Sequence, residues 1–149
     1  MTYKTVKNPS EAYEEFGLEP VVRALIDQIK GLYASDQIPW VIGYSGGKDS
    51  TAVVQLVWSA LLEMKPEERT KDVHIISTDT LVENPAVSTW VRRSLSLMNA
   101  KAKEENLPLR AHLLTPEIKN TFWVNLIGRG YPAPRTKFRW CTERLKIKR

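Results

Sequence analysis

The stretch Ile38-Pro39-Trp40-Val41-Ile42-Gly43-Tyr44-Ser45-Gly46-Gly47-Lys48-Asp49-Ser50-Thr51 decides how this chain reads. Ile38 to Tyr44 is short and apolar and reads as a buried strand. Thr51 to Met64 is almost wholly apolar and reads as a helix buried over much of its surface. The turn between them suits an anion. Gly46 and Gly47 let backbone N–H groups face a phosphate with no Cβ in the way. A helix starting near Asp49 or Ser50 adds its positive end. Lys48 supplies a full charge, and Ser45 and Ser50 supply hydroxyl donors. Asp49 would repel phosphate unless it caps the helix or holds Mg²⁺, an ion that prefers carboxylates beside phosphates. The spacing is not that of a Walker A loop, because Asp49 follows the lysine. Gly43, Gly46 and Gly47 also miss the dinucleotide fingerprint. The purely structural alternative is a strand-to-helix turn capped by an aspartate.

On either side of this unit, the pattern alternates. Glu19-Pro20 opens an amphipathic helix carrying Val21, Val22, Leu25, Ile26, Ile29 and Leu32, and Ser35-Asp36 closes it. After Lys65-Pro66, Val73 to Ser77 reads as a second buried strand. Asn84-Pro85 has the form of a cap followed by proline at the first helical position, opening a helix that runs to about Asn106. Leu107-Pro108 breaks it, and Arg110 to Leu114 is a third strand. A shorter helical segment is expected around Asn120 to Ile127, then a Gly/Pro loop from Gly128 to Pro134, and a last helix from Thr142. This order implies an α/β fold, a parallel open sheet with helices on both faces. Residues 1–18 are polar enough to be partly disordered, which leaves 19–149 as one domain. Three strands are few for an open nucleotide-binding sheet, whose ligand sits where the strand order reverses. The expectation is therefore a domain incomplete at its C-terminal side, since Lys146 to Arg149 reads as helix interior with no stop signal.

The composition agrees with one domain: 149 residues, 42% of them hydrophobic, are enough for one core. No apolar run is long enough to span a membrane, and Met1 to Lys7 precede no signal-like core. A single cysteine, Cys141, fits a reducing cytoplasm. The net charge of +5 is uneven. From Arg129 to Arg149 eight basic residues face one acid, Glu143, whereas the other 128 residues carry 14 basic and 16 acidic side chains. Arg135, Lys137, Arg139 and Arg144 are interleaved with Tyr131, Phe138 and Trp140, a pattern that points to contact with a phosphate-rich polyanion. A solvated basic tail is the plainer reading.

Two further stretches carry chemistry. Ser77-Thr78-Asp79-Thr80-Leu81-Val82-Glu83-Asn84-Pro85 ends the second strand. In a parallel sheet that end faces the ligand crevice, so Ser77 and Asp79 would stand beside the phosphate loop. Asp79 would orient substrate or a metal-bound water, or else simply form the turn. Glu83 reads as a solvated loop residue. The other stretch is Phe138-Arg139-Trp140-Cys141-Thr142-Glu143-Arg144-Leu145-Lys146. His74 and His112 read as core strand residues, Trp58 as core, and Arg92-Arg93 as a solvated helix face, with contact to an ATP phosphate as the alternative. No zinc site is expected.

The hexapeptide Ser45 to Ser50 resembles the PP-loop of the ATP pyrophosphatases. That group includes the ATP sulfurylase small subunit, the phosphoadenylylsulfate reductase family, tRNA-thiolating enzymes and GMP synthetase. Together with Ser77 to Pro85 and Phe122-Trp123-Val124-Asn125 to Cys141, the chain from about Trp40 onward is most similar to the sulfurtransferase subunit of bacterial DNA phosphorothioation systems. The resemblance implies that ATP binds on Ser45, Gly46, Gly47, Lys48, Asp49 and Ser50, with Mg²⁺, and is cut between its α- and β-phosphates. Lys48, Asp49 and Asp79 would serve catalysis, Ser77 would border the nucleotide, and DNA would be the acceptor. It also implies a cysteine desulfurase and other phosphorothioation subunits as partners, and a [4Fe–4S] cluster with Cys141 at its first position. One cysteine cannot hold such a cluster, so its other ligands would lie beyond Arg149. As a plainer alternative, Cys141 is a small buried hydrophobe. The competing expectations are a sulfur-assimilation enzyme (an ATP sulfurylase subunit or a phosphoadenylylsulfate reductase) and a binding module that turns nothing over.

Overall fold

The computed structural model describes residues 17–136, 138–142 and 145. Its elements run α1 (Leu18–Ala34), β1 (Trp40–Gly43), α2 (Lys48–Glu63), β2 (Val73–Thr78), α3 (Pro85–Glu104) and β3 (Leu109–Leu114). The sheet is parallel throughout, in the order β1-β2-β3. Trp40, Val73 and Leu109 stand in register, as do Ile42, Ile75 and Ala111.

Local sequence accounts for the helices. α1 buries Ile26 and Tyr33, seven residues apart, and α2 buries Val54, Val57, Ala60 and Leu61. α3 begins where the Asn84 side chain accepts the Ala86 N–H at 2.9 Å, with Pro85 at the first position. It ends with Asn106 at φ 51° and the Leu107 N–H returning to the Ala102 carbonyl at 2.9 Å. α2 starts at Lys48 rather than Thr51. The hydroxyls of Ser50 and Thr51 both donate to the Gly47 carbonyl, at 3.1 and 2.8 Å, and so close its first turn.

One expectation is corrected. Helices on both faces of the sheet were anticipated, but the described helices cover one. Trp40, Ile42, Val73, Ile75, Leu109 and Ala111 share the core with Tyr33 of α1, Val54, Val57 and Leu61 of α2, and Val91 and Leu95 of α3. The alternate residues Val41, His74, Ile76, Arg110 and His112 are half-buried or exposed. The reason is topological. β1, β2 and β3 are laid down in one direction, so two right-handed crossovers leave α2 and α3 on the same face. α1 joins them through Tyr33, whose ring meets Trp40 edge-on at 5.4 Å. His74 and His112 are thus not core residues. They meet on the open face, with ring nitrogens 3.1 Å apart.

The segment after β3 is helical about where expected, from Phe122 to Gly128, but it is wound as a π-type turn over Val124–Gly128 and is preceded by a 3₁₀ turn (Ile118–Asn120). Asn125, 1% exposed, organises both by donating to the carbonyls of Asn120 and Thr121 at 3.1 and 2.9 Å. A short helical turn at Trp140–Thr142 follows. Most of the last expected helix, like residues 1–16, lies outside the described residues. No helix among the described residues is long and apolar enough to cross a membrane.

Candidate functional site

β1 delivers Tyr44 to Ser45 at the carboxyl edge of the sheet, and the chain turns there into α2. Gly46 has φ +76°, and a Cβ on it would come within 2.8 Å of the Val91 side chain and 3.4 Å of the Trp90 ring. Both features require glycine. Ser45 and Ser50 brace the loop, their hydroxyls 3.2 Å apart and the Ser45 N–H 3.3 Å from the Ser50 oxygen. Gly47 stands at the N-cap of α2, and no side chain caps that helix. Its first-turn amides therefore have no side-chain cap among the described residues, and the helix's positive end lies at the loop. Lys48 and Asp49 point into solvent, with side chains 90% and 88% exposed and an ion pair of 2.6 Å between them.

Beside the loop, at the ends of β1 and β2, lies a cavity of about 410 Å³. Its walls include Ser45, Ser77, Asp79, Glu83, Ser88 and Val91. The structure thus brings Ser45, Ser77 and Asp79 together, as the strand-end argument expected. It does not bring Arg135, Arg139 or Cys141 to this cavity. Lys137 and Arg144 lie outside the described residues.

Asp79 is 7% exposed and its carboxylate is held on three sides. One oxygen accepts the Leu81 N–H at 2.9 Å. The other accepts the Ser88 hydroxyl at 2.9 Å and the Arg92 guanidinium at 2.7 Å. Burial pushes its pKa up, but the Leu81 amide, Ser88 and Arg92 together outweigh that and hold the carboxyl below its ordinary value. It is an anion at neutral pH and a weak base. The first contact also steadies Leu81 at φ 62°, a costly conformation for leucine. Arg92 was expected on a solvated face or against an ATP phosphate and is instead paired with Asp79, and Ser88 was not singled out. The signal was helical spacing, since Ser88 and Arg92 lie one turn apart on α3.

The stability consequence has a definite sign. A carboxyl with a lowered folded pKa contributes stability that is complete above the ordinary aspartate pKa, about 4, and is lost as pH falls through the lower folded value. Arg92→Gln leaves burial opposed by two donors only. Its expected effect is a loss of about 1–2 kcal/mol at pH 7 and acid unfolding at a higher pH than the wild type. Urea unfolding across pH 2.5 to 7 reads both; parallel curves for the two proteins would refute the assignment.

The region beyond β3 forms a separate aromatic and basic surface. Phe122 stacks on Trp140 at 5.4 Å, and Tyr131 meets Trp140 edge-on at 5.2 Å. The Trp140 indole donates to the Pro132 carbonyl at 2.9 Å, and Arg129 donates to Asn125 at 3.0 Å. Arg135 and Arg139 are exposed, and Cys141 is a half-buried free thiol.

The residues present do not make a cluster site. Cys141 is the only cysteine in the sequence, and no group of three or more His, Cys, Asp or Glu side chains stands together among the described residues. A magnesium ion beside phosphates makes smaller demands, one or two carboxylates with water and phosphate oxygens completing its shell, and Asp49 is an exposed carboxylate in the first turn of α2. In comparisons with protein-family models, curated proteins and solved structures, none matches this chain.

Proposed function

We propose that the chain is the ATP-binding part of a sulfurtransferase that adenylates a DNA backbone phosphate, releasing pyrophosphate. The observation that carries this reading is the uncapped start of α2 behind Gly46, Gly47 and Lys48, opening beside a cavity walled by Ser45 and Ser77. Loop amides, the helix end and Lys48 would hold the β- and γ-phosphates and stabilise charge on the departing pyrophosphate. Asp49 would hold a magnesium ion beside those phosphates, which would supply charge neutralisation there. A non-bridging oxygen of the acceptor phosphate attacks the α-phosphorus. The bond from that phosphorus to the bridging oxygen breaks, and the electron pair leaves with pyrophosphate. Asp79, ionised and committed to three donors, shapes the wall of the cavity. The outer sulfur of a persulfide on a cysteine desulfurase partner would then attack the acceptor phosphorus, AMP leaving with the electron pair of the broken P–O bond. A second thiol would reduce the resulting P–S–S link to the phosphorothioate and form a disulfide.

Calorimetric titration with ATP and Mg²⁺ tests the reading. Lys48→Ala is expected to weaken binding by roughly tenfold or more, about 1.4 kcal/mol, with unchanged thermal stability because the side chain is 90% exposed. Pyrophosphate release with DNA and the partner subunits present would then be measured. A folded wild-type chain that ignores ATP would sink the proposal.

A further inference from the structure

The aromatic residues beyond β3 are sorted into two groups. Phe122, Tyr131 and Trp140 pack on one another, and Trp140 is 6% exposed. Trp123 and Phe138 are instead exposed to solvent, 55% and 49%. Trp123 continues the ring series, meeting Phe122 edge-on at 5.2 Å. Phe138 is two residues from Trp140 in the chain and is fixed by a tight turn. Its N–H donates to the Arg135 carbonyl at 2.9 Å, and the Arg135 N–H donates to its carbonyl at 3.0 Å. Residues that exchange both bonds in an antiparallel pair project their side chains from the same face. The exposed Phe138 ring and the Arg135 cation therefore rise side by side, with exposed Arg139 next in the chain.

We infer that this surface binds single-stranded DNA, with Trp123 and Phe138 as platforms for unpaired bases and Arg135 and Arg139 on the phosphates. Charge complementarity selects a polyanion. The exposed rings select an unpaired strand, because a duplex hides its base faces in the stack whereas a single strand offers one at every nucleotide. A Trp123 ring already packed against Phe122, and a Phe138 backbone already fixed by its two bonds to Arg135, lose less freedom on stacking, which favours affinity. The inference rests on the reading of DNA as the acceptor and adds the form in which it is bound.

The test is fluorescence anisotropy with labelled oligonucleotides of about 12 nucleotides, as single-stranded DNA, duplex DNA and single-stranded RNA. Single-stranded DNA is expected to bind tightest. Phe138→Ala and Trp123→Ala should each weaken it about 5- to 100-fold and leave duplex binding unchanged, while Phe138→Tyr and Trp123→Phe retain affinity. Arg135→Ala should weaken every DNA form and reduce the salt slope by about one. Equal single-strand and duplex affinities, silent aromatic variants, or tighter binding of RNA would each overturn the proposal. Self-association of the chain through these rings without oligonucleotide binding would also overturn it and assign the surface to a second copy. ATP titration of the same preparation keeps the two readings apart. ATP binding without oligonucleotide binding sinks only this proposal, and oligonucleotide binding without ATP binding sinks only the loop assignment.

Discussion

Gly46→Ala is expected to destabilise the folded chain by about 2–3 kcal/mol and to abolish measurable binding of ATP. Two costs combine. The φ of +76° charges any residue with a Cβ about 1–2 kcal/mol. The added methyl also meets the Val91 side chain at 2.8 Å, closer than carbon atoms pack, with the Trp90 ring at 3.4 Å closing the other side. Relief means moving either α3 or the loop, and moving the loop turns its amides away from the phosphate position. Binding is then lost even where folding survives. Gly46→Ala combined with Val91→Ala separates the two costs. The pair is expected to recover the steric part, so the double variant should be less destabilised than the sum of the singles. The backbone part, and the binding defect with it, should persist. Urea unfolding gives the stabilities and calorimetry the affinities. An alanine variant that binds ATP like the wild type would show that Gly46 is not part of a phosphate site.

That result also bears on what was legible in the sequence. The loop and its flanking elements were legible because strand, glycines, lysine and helix follow one another within the 27 residues from Ile38 to Met64, so local pattern alone fixes their order. The three strands and their parallel pairing followed from the same alternation. The uncovered sheet face was not legible. Helix placement depends on strand order across the sheet, a non-local property that no periodicity records. The Asp79–Ser88–Arg92 group was hidden for a related reason. Its members come from a strand end and two turns of a helix, and only the strand-to-helix turn closes the contact. Tyr131, Phe138 and Trp140 looked equivalent among the basic residues, but packing on Phe122 draws Trp140 inward and leaves Phe138 out. The short helical segment near Asn120 to Ile127 was legible, but its π winding was not, because the Asn125 side chain that shapes it acts through neighbouring carbonyls.

Lys71→Ala is expected to cost about 3 kcal/mol, a large effect for a lysine. Its side chain is only 1% exposed, at the start of β2 and at the edge of the sheet opposite the cavity. The ammonium pairs with Asp36 at 2.7 Å and lies over the rings of Tyr33 and Trp40, 5.1 and 4.8 Å from their centroids. Its backbone N–H donates to the Tyr33 hydroxyl at 3.0 Å, and that hydroxyl donates in turn to the Lys71 carbonyl. The cluster therefore ties the end of α1 to the sheet from which the phosphate loop springs. Truncation to alanine removes a stem packed against two rings, together with the cation–π contacts and the ion pair. Lys71→Met keeps most of the volume and removes the charge, so it is expected to recover more than half of the loss. Asp36→Asn probes the other side. It leaves the ammonium buried against aromatic faces with no anion, a worse state than having no ammonium there. It should therefore be more destabilising than Lys71→Met. The pH dependence follows from Asp36, whose carboxyl the Lys71 hydrogen bond and the Ile38 N–H hold below its ordinary value. Its contribution is full above about pH 4 and fades as pH falls through the lower folded value. Lys71→Met should remove most of that acid dependence. If Lys71→Ala unfolds at the same urea concentration as the wild type, α1 is not held to the sheet through this lysine. The loop would then owe its position to α2 and α3 alone.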